Sequence, residues 1–230
     1  MTQWIELTAA DGFCFPAYQA LPAGPARGAV IVLQEIFGLN SHIRAVVDGY
    51  AAQGYLAVAP STFHRVRAGV ELGYAPTDIA EGVALKALVE ALPAPGVQQD
   101  IQAAVDYALQ TSAGKVGVVG YCWGGLLAWR AACQLDNLSA AVPYYGGGMT
   151  LPAEVARTPG CAVLAHFAQH DQSIPLAGAL AFGQAHPEVE LHVYDASHGF
   201  NCDQRSAYNA GAAQLARQRS LAFFERVLRG

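Results

Sequence analysis

The chain has 230 residues, 53% hydrophobic and only 13% charged, which fits one α/β domain, spanning 1–230, whose sheet is covered on both faces. A formal net charge of -5 without any Lys/Arg cluster argues against nucleic acid as a partner. No stretch is apolar for long enough to span a bilayer, Met1-Thr2-Gln3-Trp4-Ile5-Glu6 lacks a signal-peptide pattern, and Cys14, Cys122, Cys133, Cys161 and Cys202 contain no Cys-x-x-Cys pair. A cytoplasmic protein with free thiols, no disulfide framework and no membrane association is therefore expected.

Along the chain, Trp4–Leu7 and Phe13–Tyr18 flank the turn Ala10-Asp11-Gly12 and predict an antiparallel hairpin, with Pro16 suited to a sheet edge. After a Pro/Gly-rich loop, Ala29–Leu33 is the first strongly buried strand, and it ends in Gln34-Glu35-Ile36-Phe37-Gly38-Leu39-Asn40. Asn40 or Ser41 can cap a helix through about Gln53, Gly54 stops it, and Tyr55–Pro60 makes the next strand. Residues 61–76 lose periodicity and read as a long surface loop bordering a site. Helices are predicted over 77–91 and 97–111, separated by Pro93-Ala94-Pro95-Gly96. A β-branched run from Val116 leads into a helix over 124–135. Strands follow at 140–145, 162–167 and 191–194, and a helix over 206–228 closes the chain. Strands alternating with helices indicate a doubly wound, mostly parallel sheet with an antiparallel amino-terminal edge hairpin and no separate lid domain.

Gly120-Tyr121-Cys122-Trp123-Gly124-Gly125 stands between a buried strand and a helix, the setting of a nucleophile elbow. So sharp a turn forces its central residue toward positive φ, and its neighbours two before and two after must lack side chains. Cys122 then meets the free N–H groups and dipole of a helix start, which favour a thiolate. A thiol of pKa ~8.5 needs a base at neutral pH. In a parallel sheet the partners belong in loops at strand carboxyl ends, where His170-Asp171 and Ser197-His198-Gly199-Phe200 lie. The order Cys122, Asp171, His198 is the nucleophile-acid-base order of the α/β-hydrolase fold, with Asp171 fixing the tautomer of His198 and stabilising the imidazolium.

These stretches, together with Gln34-Glu35-Ile36-Phe37-Gly38, resemble the dienelactone hydrolase family over nearly the whole chain. The resemblance implies cofactor-free opening of a lactone or related ester, typically an enol-lactone formed in aromatic degradation, through an acyl-cysteine intermediate. It also gives Glu35 a role, holding the resting thiol neutral and accepting its proton when substrate arrives. A carboxylate desolvated at a strand end beside a thiol is a credible base. Main-chain N–H groups of Ile36 and Trp123 are the expected oxyanion donors, and Phe37, Trp123 and Tyr145 are candidate pocket walls or ordinary core residues.

In the family an arginine four residues beyond the base histidine binds the substrate carboxylate, and here that position is Cys202. Arg205 is the candidate replacement, unless Asp203 neutralises it, while Arg65 and Arg67 read as solvated surface residues. His166 and His170 are four apart but cross a strand end, so no metal site is expected there. Gly146-Gly147-Gly148 lacks the residues of a phosphate loop and reads as a turn near the pocket. A thioesterase or general small-ester hydrolase on the same triad, and a non-catalytic thiol sensor or binding module, are the competing readings. The expected state is a monomer or weak homo-oligomer.

Overall fold

Three runs without a charged residue, Ala29–Leu33, Leu56–Pro60 and Val116–Tyr121, are buried at every position and form the middle of the sheet. Such strands need cover on both faces, which the helices between them provide. The computed structural model describes residues 1–112 and 114–229. Its first half comprises β1 (Thr2–Thr8), β2 (Cys14–Ala20), β3 (Ala29–Leu33), α1 (Ser41–Ala51), β4 (Leu56–Pro60), α2 (Pro76–Glu90) and α3 (Gln98–Ser112). The second comprises β5 (Val116–Tyr121), α4 (Trp123–Gln134), β6 (Leu138–Tyr144), α5 (Pro152–Val155), β7 (Ala162–Ala168), α6 (Leu176–Ala185), β8 (Glu190–Tyr194) and α7 (Ala210–Leu228).

The sheet order is β1-β2-β4-β3-β5-β6-β7-β8. β1 and β2 form the expected hairpin, β2 joins β4 antiparallel, and all other pairings are parallel. This is the α/β-hydrolase arrangement. From β3 the chain moves outward to β4 and then returns to the other side of β3 as β5. The switch leaves a crevice beyond the carboxyl ends of β3 and β5, where open α/β sheets place their ligands. The β3 and β5 loops, carrying Glu35 and Cys122, are therefore neighbours.

The helices fall on the two faces. Arg217 of α7 donates to the Gly49 carbonyl of α1, and Phe224 packs on Tyr50, so α1 and α7 share one face. Trp129 of α4 packs on Phe182 of α6 on the other. Asn40 caps α1 as expected, its side chain accepting from the Ile43 N–H.

Three stretches differ from expectation. α6 was not foreseen, because Leu176–Ala185 is rich in small residues and buries only Ala179 and Phe182, too little for a helical pattern. α7 starts at Ala210 rather than 206, since the Asn209 side chain accepts from the Ala212 N–H and the preceding residues form turns. The loop over 61–76 lies at the surface from Arg67 to Gly69 but is anchored at its start and middle: Thr62, Phe63 and Val70 are buried, and Glu71 pairs with Gly38 in an isolated bridge.

Candidate active site

Cys122 has φ 55° and ψ -116°, a conformation that only a tightly constrained non-glycine residue adopts. The constraint is visible at both glycines. A Cβ on Gly120 would lie 1.9 Å from the Gly124 carbonyl oxygen, and one on Gly124 2.5 Å from that of Leu33. Strand and helix thus close only without side chains. The Cys122 N–H donates to the Tyr144 carbonyl at 3.1 Å, and its own carbonyl accepts from Gly125 and Gly147, so the Gly146-Gly147-Gly148 turn braces the elbow.

Asp171 follows β7 and His198 follows β8. Asp171 Oδ1 accepts from the Ser173 and Ile174 N–H groups at 2.7 and 3.0 Å, which fixes the carboxylate and leaves Oδ2 facing the imidazole. His198 Nδ1 stands 2.7 Å from that Oδ2. Burial opposes a charge on His198, but Cys122 and Asp171 outweigh it and push the imidazolium up to about 10. Asp171 acts through its hydrogen bond to Nδ1 and its charge, and Cys122 through its nearness to the ring. The three expected triad residues therefore meet, in a chain running from thiol through imidazole to carboxylate.

Glu35 is fully buried at the end of β3. Its Oε1 accepts from Arg205 at 3.1 Å, and its Oε2 faces the Tyr74 hydroxyl at a longer 3.4 Å. That hydroxyl accepts from Asn40 and from the Cys202 thiol, which leaves its proton for Glu35. Burial and the neighbouring Glu35 raise the Tyr74 phenol far above its ordinary range, and the same two causes push the Cys202 thiol up to about 11. The resting bond from the Cys122 thiol to Glu35 that the resemblance implied is thus not the arrangement seen. Glu35 is turned to Arg205 and Tyr74, and Cys122 to His198.

Arg205 does reach the site, lying over Gly199 and above the Phe37 and Tyr74 rings. Glu35 is its partner rather than Asp203, which instead stands 3.4 Å from His42 Nδ1. Arg65 is not a free surface residue, being bidentate to buried Asp100 and also paired with Asp11, while Arg67 pairs with Glu81.

Trp123 departs from the pocket-wall expectation. Its indole is 1% exposed, stacked on Phe63, and its Nε1 donates to Glu90 at 2.7 Å. As the first residue of α4 its main-chain N–H has no carbonyl within the helix to receive it. The loop that carries Ile36 runs close by, since a Cβ on Gly124 would lie 2.4 Å from the Gln34 carbonyl oxygen, while Ile36 itself packs on Gly82 of α2. Phe37 is buried against Tyr74, and Tyr145 lies with its ring centroid 5.0 Å from that of His198. Tyr145 has φ 36°, and its buried hydroxyl has no partner among the described residues. Tyr74 and Asn40 are the residues that sequence reasoning missed, because one sits in an aperiodic loop and the other served as a helix cap.

His166 and His170 do not converge: His166 bonds to Ser220 and Tyr194 in the core, and His170 to Asp195 at the surface. Glu35, His42 and Cys202 do lie together. Cavities of about 420 and 430 Å³ open elsewhere, one between β1 and α3 and one between α1 and α7, and neither is lined by the triad.

Comparison with known proteins gives a consistent picture. Residues 15–228 match the dienelactone hydrolase family. A carboxymethylenebutenolidase of Pseudomonas putida is 34% identical over 230 residues, covering 97% of this chain and 96% of that one. A crystal structure of a protein assigned as a dienelactone hydrolase from Klebsiella pneumoniae subsp. pneumoniae superimposes with a TM-score of 0.81 at 32% identity, covering 97% and 98% of the two chains. A dienelactone hydrolase-like promiscuous phosphotriesterase from metagenomic libraries shares the fold, with a TM-score of 0.76 at 20% identity over 99% of each chain.

Proposed function

The chain belongs to the dienelactone hydrolase family and is a hydrolase acting on an ester or lactone, and from that premise we propose that it works through a Cys122 thiolate and an acyl-cysteine intermediate. The observation that carries this reading is the convergence of Cys122, His198 and Asp171, in which His198 Nδ1 bonds to Asp171 at 2.7 Å and the neighbouring Cys122 is held at φ 55° at the start of a helix.

Cys122 Sγ attacks the carbonyl carbon, forming the C–S bond while the π pair moves onto oxygen. The N–H groups of Trp123 and Ile36 receive the oxyanion. Collapse breaks the ring or ester C–O bond, and the leaving oxygen takes the proton of the His198 imidazolium. A water then loses a proton to His198 and attacks the acyl carbon, and Cys122 departs as thiolate. Asp171 holds Nδ1 throughout, so Nε2 is the nitrogen that exchanges protons. No step asks for a cofactor.

For substrate we propose an uncharged lactone or small aryl ester in preference to an anionic enol-lactone. Support comes from the arginines: Arg205 is held by Glu35, and Arg65 and Arg67 are held by Asp100, Asp11 and Glu81. A cytoplasmic setting, and so a reducing one, suits the five free cysteines.

Rapid-quench mass spectrometry with a slowly deacylating aryl ester tests the mechanism. An acyl adduct on Cys122 is expected; turnover at full rate without any adduct would instead indicate direct attack by water. A panel of neutral and anionic lactones of equal size tests the preference, which efficient turnover of the anionic member at micromolar concentration would refute.

A further inference from the structure

Glu35 belongs to a second constellation. A carboxylate oxygen of Glu35, an imidazole nitrogen of His42 and the thiol of Cys202 all lie within 4.8 Å of one another, and all three residues are buried. They converge from distant places, namely the end of β3, the first turn of α1 and the loop beyond His198.

Two further observations point to a ligand. His42 is 4% exposed, yet its Nε2 has no hydrogen-bond partner, a condition that folded proteins avoid. Its other nitrogen, Nδ1, is 3.4 Å from Asp203 Oδ1, from where a small turn gives the carboxylate support that orients metal-binding histidines and leaves the lone pair on the opposite nitrogen. The cavity of about 430 Å³ between α1 and α7 is lined by His42, Asp203 and Asn201, which gives a small ion a route from solvent to the imidazole.

We propose that Glu35, His42 and Cys202 form a binding site for a thiophilic divalent cation of the zinc class, and that the bound cation keeps Glu35 from turning to the Cys122 thiol and accepting its proton, the role that the family resemblance gives it. Carboxylate, imidazole and thiolate are a zinc donor set, whereas a sulfur ligand disfavours magnesium and calcium. Tetrahedral zinc brings its donors to about 3.3–3.6 Å from one another. The three groups therefore close by about an ångström, a shift that side-chain rotation supplies. Arg205 occupies Glu35 Oε1, so Oε2, held only by the long contact with Tyr74, is the oxygen free to coordinate. As the metal–sulfur bond forms, the Cys202 thiol proton passes to solvent, one proton for each cation bound. The second half of the proposal rests on Glu35 acting in hydrolysis, while the binding half stands without it.

The test is calorimetric titration with Zn²⁺ and optical titration with Co²⁺ on Cys122→Ala protein, which keeps all three donors and removes the catalytic thiol. One bound ion per chain is expected, with a thiolate-to-cobalt charge-transfer band in the near ultraviolet and no response to Mg²⁺. Cys202→Ala or His42→Ala in the same background should weaken binding a hundredfold or more, with circular dichroism checking the fold. Exposed Asp203→Ala, which removes only the support, should weaken it about tenfold. Binding that survives Cys202→Ala overturns the site, as does binding seen in the parent but lost in Cys122→Ala. In the parent enzyme, Zn²⁺ inhibition that persists after Cys202→Ala overturns the link to Glu35. A chain that hydrolyses nothing would refute the proposed function yet still give the cobalt band.

Discussion

Two imidazoles, one partly and one fully buried, lie near the carboxyl edge of the sheet and are driven in opposite directions. His198 faces the Cys122 thiol and the Asp171 carboxylate, and although burial opposes its charge, those partners push it up to about 10. His166, in β7, is fully buried among neutral hydroxyls, and burial holds it well below 6.5, with His192 and Arg219 adding to the effect. Its surroundings are nonetheless satisfied. Ser220 donates its hydroxyl proton to the Ala216 carbonyl and so accepts from His166 Nε2, while Tyr194 accepts from Arg219 and donates to Nδ1. Desolvation opposes a charge on both rings, so the charge of the partner decides which one can serve as acid and base and which one is a structural joint.

The most drastic way to break the contrast is to remove the partner that makes His198 cationic. Cys122→Ala should lower turnover by about 10⁴-fold or more, with an unchanged circular dichroism spectrum. The same change should flatten the alkaline side of the stability curve. A folded pKa raised above the unfolded value gives stability that is complete below about 6.5 and lost as pH rises toward about 10, and Cys122 supplies much of that shift. His166 carries the opposite sign: its depressed pKa costs stability as pH falls below about 6.5, where the unfolded chain takes up a proton that the buried ring refuses. Urea midpoints measured from pH 5 to pH 10 check both limbs.

Asp171→Asn leaves the carboxylate's place filled but unable to stabilise an imidazolium, and kcat/KM should fall by about 10³–10⁴-fold. A loss under tenfold would mean that Cys122 alone charges His198. On the structural side, His166→Phe leaves the Tyr194 hydroxyl proton without its acceptor, while Ser220 keeps Ala216 and Tyr144, and should cost about 1–3 kcal/mol in urea unfolding, with kcat unchanged in the folded fraction. A loss of kcat without loss of stability would erase the distinction between the two rings. The smallest effect is expected at Arg205→Ala. Freed from its guanidinium, Glu35 can turn to the Cys122 thiol, and alkylation of Cys122 by iodoacetamide at pH 7 should slow by up to about tenfold. An unchanged rate would separate Arg205 from control of the nucleophile.

What was legible in the sequence follows the same division. Cys122, Asp171 and His198 were readable because backbone geometry constrains them: two glycines that tolerate no Cβ, a strand end, and a fixed chain order. Arg205 and Glu35 were each identified, but their pairing was not, because the chain between them folds back through 170 positions without leaving a spacing rule. Trp123 was left open between pocket wall and core, since its place beside the nucleophile says nothing of where the indole turns, and Phe63 captured it. Tyr74 left no mark because its role comes from three side chains distant in sequence, Glu35, Asn40 and Cys202. α6 escaped because a helix that buries two residues has almost no hydrophobic face to display.

The proposed ion pair between Cys122 and His198 is open to direct measurement by nitrogen-15 NMR of the imidazoles in the free enzyme, where both rings report from one sample. His198 is expected to keep both ring protons at pH 8 and to lose one only near pH 10, with His166 neutral down to pH 5. A His198 that is already neutral at pH 7, beside a protonated Cys122, would contradict the thiolate on which the proposed chemistry depends.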